Sequence, residues 1–320
     1  MQYVPWDDQY ADALCELWNQ ELGDRFPMRT ELMRQNSFED QNVVKAGSWI
    51  AIDAVTQRPV GFVVAKCWQE RLDIQLGKDI GWIQVLLVAS VHRGQGVGRE
   101  LLARAENALR EQGVEKVLLG RDPYHYFPGI PDESTDVKAW FERQGYHSED
   151  RLENDLLGRY LEPAELELPE VPDGRFRLLT KADQAVFLAF LHRCFPGRWE
   201  YEAIHYFKRG GTGREFVVVE LHGEIVGFCR INDADSPFIA QNVYWAPLFA
   251  DGLGGIGPLG VDAEYRGRGL GLAIVEAGIV ALRNRGISNI VIDWTTLVDF
   301  YGRLGYHSWK QYAKYGKAFS

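Results

Sequence analysis

VLLVASVHRGQGVGRELL, residues 85–102, and GPLGVDAEYRGRGLGLAIV, residues 257–275, decide the architecture. Each is an apolar, strand-like run, then Arg-Gly-x-Gly-x-Gly (Arg93–Gly98, Arg266–Gly271), then the apolar spacing of a helix. A glycine turn between strand and helix leaves several backbone N–H groups aimed outward at a helix N-terminus. The missing Cβ atoms let a phosphate approach them closely. Two copies in one context make the match a repeat rather than an accident.

Outward from these stretches the pieces recur in order. Tyr3–Trp6 and Phe176–Leu179 read as opening strands. Helical stretches follow near acidic caps, Asp7–Glu21 and Asp183–Cys194, and then again at Arg29–Asn36 and Glu200–Arg209. Two hairpin-like pairs come next, Trp49–Ala54 with Val60–Trp68 and Phe216–Leu221 with Ile225–Asn232, the second turning at His222-Gly223. After the glycine turn and its helix, Gly113 and Gly286 read as C-terminal caps. A late strand follows in each half, Lys116–Gly120 and Asn289–Asp293. Each half ends on an aromatic helix and a Gly-Tyr-His step, WFERQGYH (140–147) and FYGRLGYH (300–307). The first half alone carries DPYHYFPGIPDES (122–134). EPAELELPEVPDG (162–174) reads as a linker. The expectation is an α/β (α+β) protein of two repeats, 1–161 and 175–320.

Bulk properties exclude several classes. The 320 residues suffice for two domains with real cores. The net charge of −10 argues against a nucleic-acid binder, since residues 1–160 hold 18 Lys/Arg against 26 Asp/Glu. No run approaches the ~20 apolar residues of a membrane span, and no basic, apolar leader opens the chain. Cys15, Cys67, Cys194 and Cys229 are scattered without metal-ligand spacing, so buried reduced thiols, no metal and a cytoplasmic location are expected.

The pattern L-x-V-x-x-x-x-R-G-x-G-x-G, followed by a helix, a strand and F-Y-x-x-x-G-Y, resembles the GNAT superfamily of acetyl-CoA-dependent N-acetyltransferases. A dinucleotide-binding fold is excluded because no early βαβ unit precedes either loop. The resemblance implies two tandem GNAT-like domains, each a mixed, mostly antiparallel sheet flanked by helices. In each, the strand ending at Val88 or Val261 splays to form the acyl-CoA wedge. It implies acetyl-CoA contacts at Leu86, Val88, Arg93, Gly94, Gln95, Gly96, Val97 and Gly98, and at Leu259, Val261, Arg266, Gly267, Arg268, Gly269, Leu270 and Gly271. It also implies direct attack by an amine, with no covalent enzyme intermediate.

The halves differ in their chemistry. Tyr301 fills the position where the family often keeps the tyrosine that protonates the departing thiolate; the first half has Phe141 there. The family's usual asparagine is replaced by Trp294. Asp293, at the end of a strand, is a candidate general base, with helix capping as the alternative. Gln84 lies on the first wedge strand but cannot act as a base. The first-half insertion brings Tyr124, His125 and Tyr126 beside the wedge, where they could bind substrate, stack on a sugar or supply a proton; packing inward is the alternative. The expected activity is acetylation of a small primary amine, possibly an amino sugar. The alternatives are a protein or peptide N-acetyltransferase and a non-catalytic acyl-CoA sensor. The chain would act as a pseudo-dimeric monomer or a homodimer.

Overall fold

The structure, a computed structural model, describes residues 1–74, 76–161 and 167–319. Residues 162–166 of the expected linker lie outside that set. In the first half the chain runs β1 (Gln2–Pro5), α1 (Ala11–Leu22), α2 (Thr30–Met33), β2 (Trp49–Ile52), β3 (Pro59–Cys67), β4 (Ile80–Val88), α3 (Val97–Glu111), β5 (Lys116–Leu119), β6 (Ile130–Pro131), α4 (Thr135–Arg143) and β7 (His147–Arg159). The second half repeats most of this: β8 (Gly174–Leu178), α5 (Gln184–Cys194), α6 (Arg198–Lys208), β9 (Phe216–Leu221), β10 (Glu224–Asn232), β11 (Gly254–Val261), α7 (Leu270–Arg283), β12 (Asn289–Thr295), α8 (Val298–Gly302) and β13 (His307–Ala318).

The long helices form where the apolar spacing placed them. In α3 the buried Leu101, Leu102, Ala105, Ala108 and Leu109 make one face. In α7 Leu270, Ile274, Val275, Ala277 and Leu282 join the core with Cys229 and Ile256. Gly113 and Gly286 follow these helices with positive φ, 77° and 81°, as C-terminal glycines do. His222 and Gly223 both have positive φ, 52° and 84°, which is the backbone of a two-residue hairpin turn. The expected helix over Arg29–Asn36 is only one turn, α2, continuing into a wider π-turn at Arg34–Phe38.

Compact packing divides the chain into residues 1–72, 77–153 and 311–320 as one unit, and 73–76 and 154–310 as the other. These are not the contiguous domains 1–161 and 175–320 expected from the repeat. The closing strands β7 and β13, which the sequence reading lacked, account for the difference. In the first unit the strand order is β1-β2-β3-β4-β5-β13, with Gly316–Ala318 of the last strand antiparallel to Lys116–Leu118. In the second it is β8-β9-β10-β11-β12-β7, with Asn154–Arg159 lying antiparallel along β12. Each unit thus takes its final strand from the other half of the sequence.

Both sheets are antiparallel except at one central pair, and there the strands separate. β4 and β5 run parallel only as far as Ile83↔Leu119, after which Gly120 N–H donates to Ile83 O at 2.9 Å. β11 and β12 are parallel only from Gly254↔Ile290 to Ile256↔Ile292. Beyond these points Val85–Val88 keep only β3, and the end of β11 keeps only β10. The separation makes a wedge directly before each glycine turn.

Candidate active site

The two glycine turns are superimposable in their backbone logic. Gly94 and Gly96 have φ of 76° and 86°; Gly267 and Gly269 have 77° and 78°. A side chain at any of the four would meet nothing within 4 Å, so glycine is set here by conformation, and the space beside it is open. The third glycine differs: a Cβ at Gly98 would lie 3.5 Å from Trp140, and one at Gly271 3.7 Å from Phe300. Among the described residues, the N–H groups of Gly94–Gly98 and of Gly267–Gly271 have no backbone acceptor, whereas Glu100 and Leu272 already bond back to Gly96 and Gly269. Five free donors around open space at the start of a long helix fit the pyrophosphate of coenzyme A.

The loop side chains do not all face that space. Arg93 Nε donates to Val88 O at 3.0 Å and Arg266 Nε to Val261 O at 3.1 Å. Both arginines therefore brace the turn against the end of the splayed strand, and Arg93 is also paired with Glu21 at 2.7 Å. Gln95 folds back onto Val91 O, and Arg268 lies over the Tyr265 ring. Val97 and Leu270 are buried, so they offer only their N–H groups. Leu86, Val88 and Leu259 are half-buried along the wedges, and Val261 is buried.

In the second unit the wedge is lined by charge. β12 shifts register against β7 between Ile292 and Thr295, forming a bulge at Asp293 and Trp294. Trp294 has φ of 45°, unusual for a bulky residue, and its N–H is taken by Asp155 Oδ1 at 3.1 Å. The bulge aims Asp293 toward β11, where its Oδ1 would lie 3.4 Å from a Cβ at Gly257, the first residue past the parallel pairing. Asn242 Nδ2 donates to Asp293 Oδ1 at 3.1 Å and to Gly257 O at 3.3 Å. Burial, and then the like charges of Asp155 and Glu202, push the Asp293 carboxyl up to about 7; Arg198 opposes them. Arg198 stacks over the Trp294 ring at 4.5 Å and donates to Glu202 Oε1 at 2.8 Å.

Tyr301, on α8, stands close enough for the Asp293 charge to act on it. Burial first, then Cys229 and Asp293, push its phenol well above the ordinary range. It packs against the Tyr306 ring, and its hydroxyl bonds no other described residue. The Asp293 charge reaches Tyr301, and three groups the sequence reading missed act on Asp293: Asp155, Glu202 and Asn242. None carries a local motif. They come from β7, α6 and the loop after β10.

The matching region of the first unit is filled. Lys66 is fully buried, its Nζ 2.8 Å from Asp40, 2.7 Å from Asp122 and 2.7 Å from Asn36 O. Burial alone would lower its pKa, but Asp122 and Asp40 hold it above the ordinary lysine value. Gln84 accepts from Ser37 at 2.7 Å and donates to Tyr124 O at 2.9 Å. The insertion closes over this network, with Tyr124, His125 and Tyr126 only 2%, 2% and 3% exposed. Tyr126 OH lies 2.6 Å from Ser37 Oγ, and His125 Nδ1 3.0 Å from Asp122 O. The three residues are therefore packed inward around the lysine and are not an exposed stacking surface. Phe141 is buried where Tyr301 stands in the other unit.

Among the described residues no group of histidine, cysteine and carboxylate side chains could hold a metal ion, and no helix is long and apolar enough to cross a membrane. Cys15, Cys67 and Cys229 are buried free thiols and Cys194 is a half-buried one.

Several known proteins are similar to this chain in sequence or fold. A mycothiol acetyltransferase of Thermobispora bispora is 30% identical over 45% of this chain and 50% of its own length. That of Nocardia farcinica is 30% identical over 68% of this chain and 69% of its own. The chain spans about half the length of the first two such relatives. Among solved structures, a GCN5-related glucosamine N-acetyltransferase region of a fungal multi-domain GH3 β-N-acetylglucosaminidase is 25% identical. It superposes with a TM-score of 0.86 over 98% of this chain and 38% of that one. A tandem GNAT protein from the clavulanic acid biosynthesis pathway, at 15% identity, shares the fold with a TM-score of 0.71 over 99% and 98%. The profile of the Acetyltransferase (GNAT) family matches residues 11–126 and again 185–306, and the chain belongs to that family, with two copies of its domain in tandem.

Proposed function

We propose that the second unit transfers the acetyl group to a primary amine of a small molecule, of the amino-sugar class, with Asp293 as general base and Tyr301 as general acid. The observation that carries this reading is the contrast between the two units: in one, Asn242 holds Asp293 at the strand edge where the wedge opens, within electrostatic range of Tyr301, while a buried lysine network fills the matching region of the other. Bound along the Gly267–Gly271 donors, acetyl-CoA supplies an activated acyl group as its thioester. The remaining work belongs to side chains. Asp155, Glu202 and Asp293 make the acceptor side acidic, which draws an ammonium group and tolerates its deprotonation. Asp293 Oδ2 receives the proton that the amine loses as its nitrogen bonds to the acyl carbon. The Tyr301 hydroxyl gives its proton to the departing sulfur. A phenol pushed far above its ordinary pKa stays protonated through neutral pH, as an acid in this role must. The glucosamine transferase region similar to this chain supports an amino sugar as acceptor.

The test is release of free thiol from acetyl-CoA with glucosamine and a panel of other small amines and peptides. Tyr301→Phe should lower kcat by ~10²–10⁴-fold with acetyl-CoA affinity nearly unchanged. Parental kcat in that variant would place the acid elsewhere. Turnover of peptides alone would replace the small-molecule reading, and coenzyme binding without turnover of any amine would leave a sensor.

A further inference from the structure

We propose that Asn242, backed by Asn232, is a positioning residue that fixes which oxygen of Asp293 takes the acceptor's proton. This deepens the reading of Asp293 as base and rests on it. The two asparagines are buried, Asn232 fully so. Asn232 Nδ2 donates to Asn242 Oδ1 at 3.0 Å, and Asn242 Nδ2 donates onward to Asp293 Oδ1 at 3.1 Å. Every link therefore donates in the same direction, toward the carboxylate.

An amide NH₂ cannot accept a hydrogen bond, so a proton on Oδ1 would face a donor and break the contact. Oδ2 is bonded by no other described residue, and it is left as the oxygen that can load a proton. The arrangement depends on glycine. A Cβ at Gly255 would fall 2.0 Å from Asn242 Oδ1, so any side chain there would evict the amide. Asn242 also holds Gly257 O at 3.3 Å, which ties the base to the strand edge where the wedge opens.

The charged and titratable neighbours of Asp293 are Asp155 on β7, Glu202 and Arg198 on α6, and Tyr301 on α8. Two of them disfavour the carboxylate. The asparagine donor works the other way, because a hydrogen bond to the charged form stabilises it. Loss of that donor should raise the titration midpoint of Asp293. A hydrogen bond to a charged group is worth enough to move it by ~1 pH unit or more.

The experiment is a ¹³C-carboxyl NMR titration of the full chain labelled at aspartate, with Asp293→Asn identifying the resonance. Asn242→Leu keeps the volume and removes the donor; Gly255→Ala keeps the donor and displaces it. Both should shift the midpoint upward, and the acidic limb of kcat/KM for glucosamine should follow. A midpoint unmoved in either variant that melts like the parent would overturn the positioning role. The titration needs no turnover, so the two ideas separate. If Asp293→Asn keeps full activity, Asp293 is not the base, and the NMR midpoint still judges Asn242.

Discussion

Asp293 carries opposite consequences for catalysis and for stability. Its carboxyl, pushed up to about 7, is protonated in acid and becomes a base only above neutrality. The kcat/KM profile should therefore rise with pH through about 7, and Asp293→Asn should abolish that limb with a loss of ~10²–10⁴-fold. For folding the sign reverses. The folded value lies above that of an unfolded aspartate, ~3.9, so the folded state binds the proton more tightly. Its contribution is complete below that value and is lost as pH rises through about 7. Asp293→Asn should raise the melting temperature at pH 8 and leave it unchanged below pH 4. Lys66 is the contrasting case, a buried cation whose partners are equally buried. Lys66→Met would strand Asp40 and Asp122 without their counter-ion, and denaturant unfolding should show a loss of ~3–5 kcal/mol. At this scale the sequence was readable only where chemistry is contiguous. The glycines announce themselves, and Tyr301 stands out in its Phe-Tyr-x-x-x-Gly-Tyr pattern, whereas Asp293, expected at the end of a strand, lies in a bulge within β12. Asn242, Asp155 and Glu202 reach the site from separate elements, and no spacing links them.

Among the elements, the strand–turn–helix pair is the most legible, because its residue types are demanded by the backbone. Gly96 and Gly269 have positive φ and face open space, so glutamate at either position would meet both conformational strain and the phosphate it repels. Calorimetry with coenzyme A should find close to two sites per chain. Gly96→Glu and Gly269→Glu should each remove one. A single site indifferent to both changes would refute binding at the loops. The insertion was ambiguous for a physical reason. Its aromatic residues and prolines suit either an exposed platform or an inward plug. The choice is made by Lys66, Asp40 and Asp122, charges far apart in sequence that must be sealed from water once paired. The short helix α2 was over-read because Arg29–Asn36 has apolar spacing enough for a longer one, yet its chain widens into a π-turn after a single turn.

For the molecule as a whole, the repeat was legible and the division of the chain was not. Homologous segments announce themselves by likeness, but which sheet a closing strand joins depends on edges that sequence does not display. β5 is completed by Gly316–Ala318, and β12 by Asn154–Arg159. Fragments 1–161 and 175–320, expressed alone, should each present an uncovered strand edge. We expect both to be poorly soluble or loosened, and the two together to recover cooperative unfolding. Deleting 311–320 should speed amide exchange in β5, in the first unit, more than in β8–β10. Independent, fully protected folding of either fragment would show that the borrowed strand is dispensable.

That borrowing also sets a timetable. Ribosomes deliver a chain from its beginning at ~5–20 residues per second, and a domain can ordinarily fold once it has emerged. Here the first unit waits for residues 311–320, so its β5 edge stays bare while the second half is still being made, an interval on the order of ten seconds. The two units should therefore reach their protected states almost together, once residues 311–320 have emerged, and a nascent chain arrested before Gln311 should be a strong client for chaperones that guard open strand edges.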